Sequence, residues 1–122
     1  LYKKAKEKYG LGENFLESLL HREETGSSRF NEFLAIPHPE RPMSSHTFIA
    51  VGVLTEKIEW SRDFYVRLVF LVGLEQNNPQ ALQLWYYLSP LISSSTALQS
   101  LIGTPTYGQL IKTVTDVYRD MF

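Results

Sequence analysis

The sequence predicts an α/β domain in which a mixed central β-sheet is packed between helices. Three observations predict it. Two stretches, Thr47 to Leu54 and Val66 to Leu74, are apolar on both faces, as strands inside a helix-covered sheet are. Helical patterns come before and after these stretches, which suits layers of helix on sheet. A chain of 122 residues is one domain by length and long enough to bury one core.

Composition narrows the function classes. Hydrophobic residues make up 43% and charged residues 20%, as in an ordinary globular domain. Twelve basic residues against thirteen acidic ones leave a net charge of -1, which argues against nucleic acid as a partner of this domain. There is no Cys, so disulfides, zinc-thiolate sites and cysteine nucleophiles are excluded. A reducing, cytoplasmic setting fits that absence. Val66 to Leu74 is too short to span a bilayer and carries Arg67, so no membrane insertion is expected. No signal-peptide pattern is present. The chain begins at Leu1 rather than Met and is read as a fragment of something longer.

In chain order, Leu1 to Tyr9 reads as a first helix ending at Gly10. Its Lys3, Lys4, Lys6 and Lys8 are read as a solvated face, because the run is short and includes Glu7. Glu13 to Glu24 is a second helix, with Phe15, Leu16, Leu19 and Leu20 as one apolar face. At about 100° per residue, Arg22 falls beside Phe15 and Leu19 at the edge of that face, and His21 nearly opposite it. Glu23 lands near the middle of the face, where a carboxylate needs a polar partner; a tie to nearby backbone is expected. Leu34 to Pro37 reads as a short strand, ended by Pro37, which lacks a backbone donor.

A polar loop from Glu40 to Ser45 leads to the Thr47–Leu54 strand, expected in the middle of the sheet. Glu56 to Trp60 is a separate short outer strand, and Val66 to Leu74 a second doubly apolar one, with Arg67 reaching the rim. Asn78-Pro79 opens a helix by side-chain cap and first-turn proline. Leu82, Trp85, Tyr86 and Ser89 share a face, and Pro90 ends or kinks the helix near Ser89. Ser93-Ser94-Ser95 leads into a helix over Ala97 to Ile102, stopped by Gly103. Thr106-Tyr107-Gly108-Gln109 matches a capping box, and a last helix turns Leu110, Ile111, Val114, Val117 and Tyr118 inward.

The chemistry points to the stretch from Arg22 to Pro39. His38 follows the strand at once and stands between Pro37 and Pro39, at a sheet rim on a chain that can hardly flex. Arg22 lies sixteen residues upstream, and Gly26-Ser27-Ser28 makes the turn between them. One imidazole with an arginine and small hydroxyl residues suits phosphoryl handling better than acyl or metal chemistry. His46, at the start of a strand, is read as a surface histidine. A bare reading of His38 alone would be a capped histidine in a rigid X-Pro loop.

Arg22-Glu23, then Gly26-Ser27-Ser28, then Ala35-Ile36-Pro37-His38 resembles the signature of the enzyme IIA domains of the mannitol/fructose type of the sugar phosphotransferase system. With Pro39 after the histidine, Thr47-Phe48-Ile49-Ala50-Val51 and Ile58-Glu59-Trp60, it is most similar to the version at the C-terminus of BglG-type, PRD-containing transcriptional regulators. The resemblance implies the matching α/β sandwich, with His38 as the phosphorylated residue and Arg22 as its catalytic partner. Arg22, Ser27 and Ser28 would bind the phosphoryl group, with Glu23 and Glu32 behind them. Glu32 either orients Arg22 or the imidazole, or is a solvated loop carboxylate. The phosphocarrier protein HPr would be the donor, enzyme IIB a possible acceptor, and the upstream domains of the same regulator further partners. No metal or cofactor is implied.

Two departures bear on the role. Where many members carry a second histidine after the last strand, this chain has Ala81; and residues such as Asn31 and Phe33 replace glycines before the Ala35–His38 run. Both fit a phosphorylation-sensing domain better than a transport relay, with a non-phosphorylated protein-binding module as a third alternative.

Overall fold

The computed structural model describes residues 1–30, 33–103 and 106–119. In order these form α1 (Tyr2–Tyr9), α2 (Glu13–Thr25), β1 (Leu34–Ala35), β2 (Phe48–Ser61), β3 (Phe64–Gly73), a 3-10 turn (Pro79–Leu82), α3 (Gln83–Ile92), α4 (Ser95–Gly103) and α5 (Tyr107–Arg119). The fold is mixed α/β, with one three-stranded mixed sheet and five helices among the described residues. The chain divides into two compact units, Leu1–Ala81 and Leu82–Phe122.

In the first unit, α1 ends where expected: Gly10 takes a left-handed conformation (φ 62°) and its N–H bonds Lys6 O. Lys3, Lys4, Lys6 and Lys8 are all exposed. Ala5, Leu11, Phe15, Leu19, Phe48 and Leu71 form one core cluster, which seats α1 and α2 on the sheet. The apolar face of α2 is split, however. Phe15 and Leu19 are buried, whereas Leu16 and Leu20 are exposed. These two line an apolar groove of about 590 Å³, with Leu54 and Trp60 among its other walls.

The sheet order is β1-β3-β2, with β1 parallel and β2 antiparallel to β3. This corrects two expectations. The middle strand is β3, buried from Leu68 to Gly73, while the residues of β2 after Phe48 are half-buried at best. Apolar residues on both faces of a strand do not by themselves require two strand neighbours. The stretches 47–54 and 56–60 are also one strand rather than two. Pairing with β3 shifts register between Val53 and Ile58, and the Arg67 guanidinium bonds Leu54 O (2.8 Å) in the gap. That bulge absorbs the polar run Thr55-Glu56-Lys57, which reads locally as a break. Arg67 therefore caps the bulge rather than the rim. Phe48 pairs with Gly73, where an added Cβ would stand 2.2 Å from the Phe48 ring, so the core phenylalanine needs glycine opposite it.

Two caps are those expected: Asn78, just before the second unit, accepts the Gln80 N–H at the start of the 3-10 turn, and Thr106 accepts that of Gln109; Ser94 adds a third by accepting that of Ala97. The faces differ. On α3, Leu88 and Leu91 are buried, while Tyr86, and Leu82 at the end of the 3-10 turn before it, are exposed. The helix also runs through Pro90 to Ile92. Pro90 removes only the bond to Tyr86 O, and the helix ends within three residues, so little is lost. On α5, Leu110, Val114, Val117 and Tyr118 are half-buried, and Ile111 is exposed.

Candidate functional site

His38 stands one residue past the end of a ladder that outruns β1. Phe33 O accepts from Arg67 N and Leu68 N, and Pro37 O accepts from Val72 N (3.0 Å). Ala35, Ile36, Pro37 and Pro39 are buried, so the backbone either side of the half-buried imidazole is fixed. Nδ1 lies 2.8 Å from Ile36 O. A carbonyl can only accept, so Nδ1 carries the proton, and in the neutral ring the lone pair is on Nε2.

The Arg22 turn is held against the same strand. At the end of α2, Arg22 donates from Nη1 to Gly26 O (2.7 Å). Ser28 O then accepts Ile36 N (3.0 Å), and Phe30 N bonds Leu34 O. Ile36 thus receives the turn on its N–H and the imidazole on its carbonyl. Ser28 and His38 are thus bonded to one residue, Ile36, while Arg22 is bonded to Gly26, two residues before Ser28 in the same turn.

Glu23 makes the backbone tie expected of it: Oε2 accepts Ser28 N (3.2 Å). The same oxygen accepts the Trp60 indole N–H (3.3 Å), a contact that spans 37 residues. Oε1 is buried with no hydrogen-bond partner among the described residues. Beyond His38, α2 holds the chain a second time. Ser18 Oγ accepts Glu40 N (3.0 Å), and His21 pairs with the Glu40 carboxylate. Trp60, Ser18, His21 and Glu40 are the neighbours that sequence reasoning missed. Each acts across a long chain separation, and no local pattern marks them.

The two serines differ. Ser27 is exposed, and its hydroxyl accepts Arg29 N (3.2 Å); Ser28 is buried, and its hydroxyl has no partner among the described residues. Glu32 and Asn31 lie outside the described residues. His46 is exposed, 3.0 Å from Ser45 Oγ and beside the Tyr9 ring. Ala81 is buried in the 3-10 turn. Among the described residues no group of three or more His, Cys, Asp or Glu could hold a metal ion. No helix among them is long and apolar enough to cross a membrane.

Comparison with known proteins bears on the family and the fold. The family model described as "Phosphoenolpyruvate-dependent sugar phosphotransferase system, EIIA 2" matches residues 1–117. The chain is 32% identical over 99 residues to a probable licABCH operon regulator of Bacillus subtilis (strain 168), covering 80% of this chain and 15% of that protein. It is 25% identical over 108 residues to the mannitol-specific phosphotransferase enzyme IIA component of the same organism, covering 86% and 74%. Among solved structures, the complex of enzyme IIAMTL and phosphorylated enzyme IIBMTL from Escherichia coli matches with a TM-score of 0.73 at 17% identity, over 91% of this chain and 78% of that one. The crystal structure of IIA mannitol from Escherichia coli gives 0.71 at 18%, over 90% and 79%. These two likenesses concern the fold.

Proposed function

The chain belongs to the phosphoenolpyruvate-dependent sugar phosphotransferase system EIIA 2 family, and from that premise we propose that His38 is its phosphoacceptor and that the domain regulates a larger transcriptional regulator. The observation that carries the reading is the Nδ1 bond to Ile36 O, which leaves Nε2 as the nucleophile. The Nε2 lone pair attacks the phosphorus of the phosphorylated carrier HPr. The Nε2–P bond forms as the bond from phosphorus to the donor atom breaks, and that electron pair leaves with the donor. The positive charge placed on the ring is met at Nδ1–H by the Ile36 carbonyl.

Transfer of this kind is positioning plus electrostatics, with charge spread over three equatorial oxygens. A guanidinium carries five N–H donors, so Arg22 bonded to Gly26 O still has donors for those oxygens. Ser27 and backbone N–H groups beside His38 add to the shell. The site calls for no metal or cofactor.

The regulatory role is supported by the likeness to an operon regulator, of which the chain spans about 15%. It is supported too by Ala81, a buried methyl where a relay domain would use a second histidine. Phosphate on His38 adds charge at a rigid rim, which biases contacts with the regulator's other domains in the cytoplasm. The relay reading, with onward transfer to an enzyme IIB cysteine, is favoured by the likeness to the mannitol component over 86% of the chain. The test mixes phosphorylated domain with enzyme IIB proteins of the same cell. Slow or absent transfer, with altered transcription for His38→Ala in the intact regulator, is expected. Fast, specific transfer would establish the relay instead.

A further inference from the structure

Glu23 is an unusual residue to find at the end of α2. It faces the apolar groove, one of its oxygens takes two N–H donors, and the other is buried without a partner among the described residues. A carboxylate in such surroundings keeps one orientation only while its donors hold it. One donor is the Ser28 amide, at the end of the turn to which Arg22 is bonded. The other is Trp60, from the outer end of β2. The Trp60 ring also packs on the cluster of Ala35, Val66 and Val69, which is shared by β1 and β3.

We propose that Trp60 is a positioning residue for phosphoryl transfer: its indole N–H orients Glu23, and Glu23 holds the Ser28 end of the turn that carries Arg22. The inference rests on His38 as phosphoacceptor. Without the indole N–H, Glu23 Oε2 keeps a single donor. The carboxylate can then rotate within the groove wall, and the Gly26–Ser28 turn loses the anchor that sets where the guanidinium begins. Trp60 touches no reacting atom, so its effect passes wholly through Arg22. Two consequences separate this from a packing role. The loss should fall on the rate at saturating donor rather than on donor affinity, because Trp60 acts on geometry at the transition state. It should also vanish once Arg22 is gone, since residues acting through one another are not additive.

The test uses Trp60→Phe, which keeps an aromatic ring, deletes the N–H and also removes one ring of the indole; an Arg22→Ala background separates the packing loss from the loss of the hydrogen bond. The 122-residue chain is incubated with phosphoenolpyruvate and the general phosphotransfer proteins, and the phosphorylation rate is followed by intact mass. The expected result is a loss of about threefold to tenfold in the limiting rate, the worth of one hydrogen bond, at unchanged half-saturation for the donor. In an Arg22→Ala background the same change should cost less than twofold. Amide exchange at Ser28 should quicken in Trp60→Phe whatever the rate does. An unchanged rate overturns the proposal whatever the Ser28 amide does, as does an equal loss with and without Arg22. Should Trp60→Phe not fold, Glu23→Gln carries the test, with a smaller loss in the same direction and the same dependence on Arg22. A folded wild-type domain that takes no phosphate overturns the reading of His38, and this inference with it. A phosphorylated wild type with an indifferent Trp60 overturns this inference alone.

Discussion

The two edges of the sheet are built in opposite ways. On one side of β3 lies β1, two residues long, buried, and continued by backbone bonds as far as Pro37 O. On the other lies β2, fourteen residues long, bulged near its middle and exposed from Thr55 to Glu59. The short edge ends in His38 between two buried prolines. Its N–H and C=O groups go to β3, to the 26–30 turn or to the imidazole, which leaves little freedom at the reacting ring. The long edge tolerates a register shift because an arginine side chain satisfies the carbonyl the bulge exposes. Rigidity is concentrated where a nitrogen must be aimed, and irregularity is confined to the other edge.

Core truncation should separate the edges most. Leu34 is wholly buried in β1, so Leu34→Ala should cost about 2–5 kcal/mol in urea unfolding. Ile58 in the outer part of β2 is 46% exposed, and Ile58→Ala should stay within about 0.5 kcal/mol by the same measurement. Comparable losses at both positions would break the contrast.

Arg22→Ala tests the chemistry of the short edge. Loss of one charge-assisted contact to the transferring group is worth on the order of 3 kcal/mol, about a hundredfold in rate. Arg22 is half-buried and its bond is to Gly26 O, within its own helix end, so a circular dichroism melt should change little. An unchanged phosphorylation rate would remove Arg22 from the site.

The bulge gives the next effect. Arg67→Leu deletes the donor to Leu54 O and should cost about 1–3 kcal/mol, the worth of an unsatisfied buried acceptor, toward the lower end because the bulge is half-open to water. It should leave phosphorylation of His38 unchanged. A rate loss matching the stability loss would mean that the two edges are coupled. The smallest effect is expected at the hairpin that joins β2 to β3. Asp63 there is left-handed (φ 60°), and Asp63→Val should cost about 1 kcal/mol, read as a lowered melting temperature.

What could be read from the sequence divides along the same line. The short edge was legible because its causes are local. Pro37 ends the strand, His38 follows, and Gly26-Ser27-Ser28 turns the chain back from Arg22. The caps at Asn78 and Thr106 were legible for the same reason. Glu23 was expected to tie to backbone, and Ser28 N is the partner. The long edge was misread as a central strand plus a separate one. Thr55-Glu56-Lys57 breaks the pattern locally, and the residue that repairs it, Arg67, is supplied from β3. The α3 face was misassigned because Leu82, Trp85 and Tyr86 have the helical spacing of a buried face, and only tertiary packing selects Leu88 and Leu91 instead. The Trp60 contact to Glu23 has no local signature at all.

The most direct test of the central claim is the identity of the phosphorylated atom. The chain, labelled with ¹⁵N in histidine, is incubated with phosphoenolpyruvate and the general phosphotransfer proteins, and the ring nitrogens of His38 are observed by NMR. The account predicts one acid-labile phosphoryl group, bonded to Nε2 of His38, with Nδ1 still protonated toward Ile36 O, and none on His38→Ala. Phosphate on Nδ1, on His21 or His46, or no adduct on a folded domain, would contradict it.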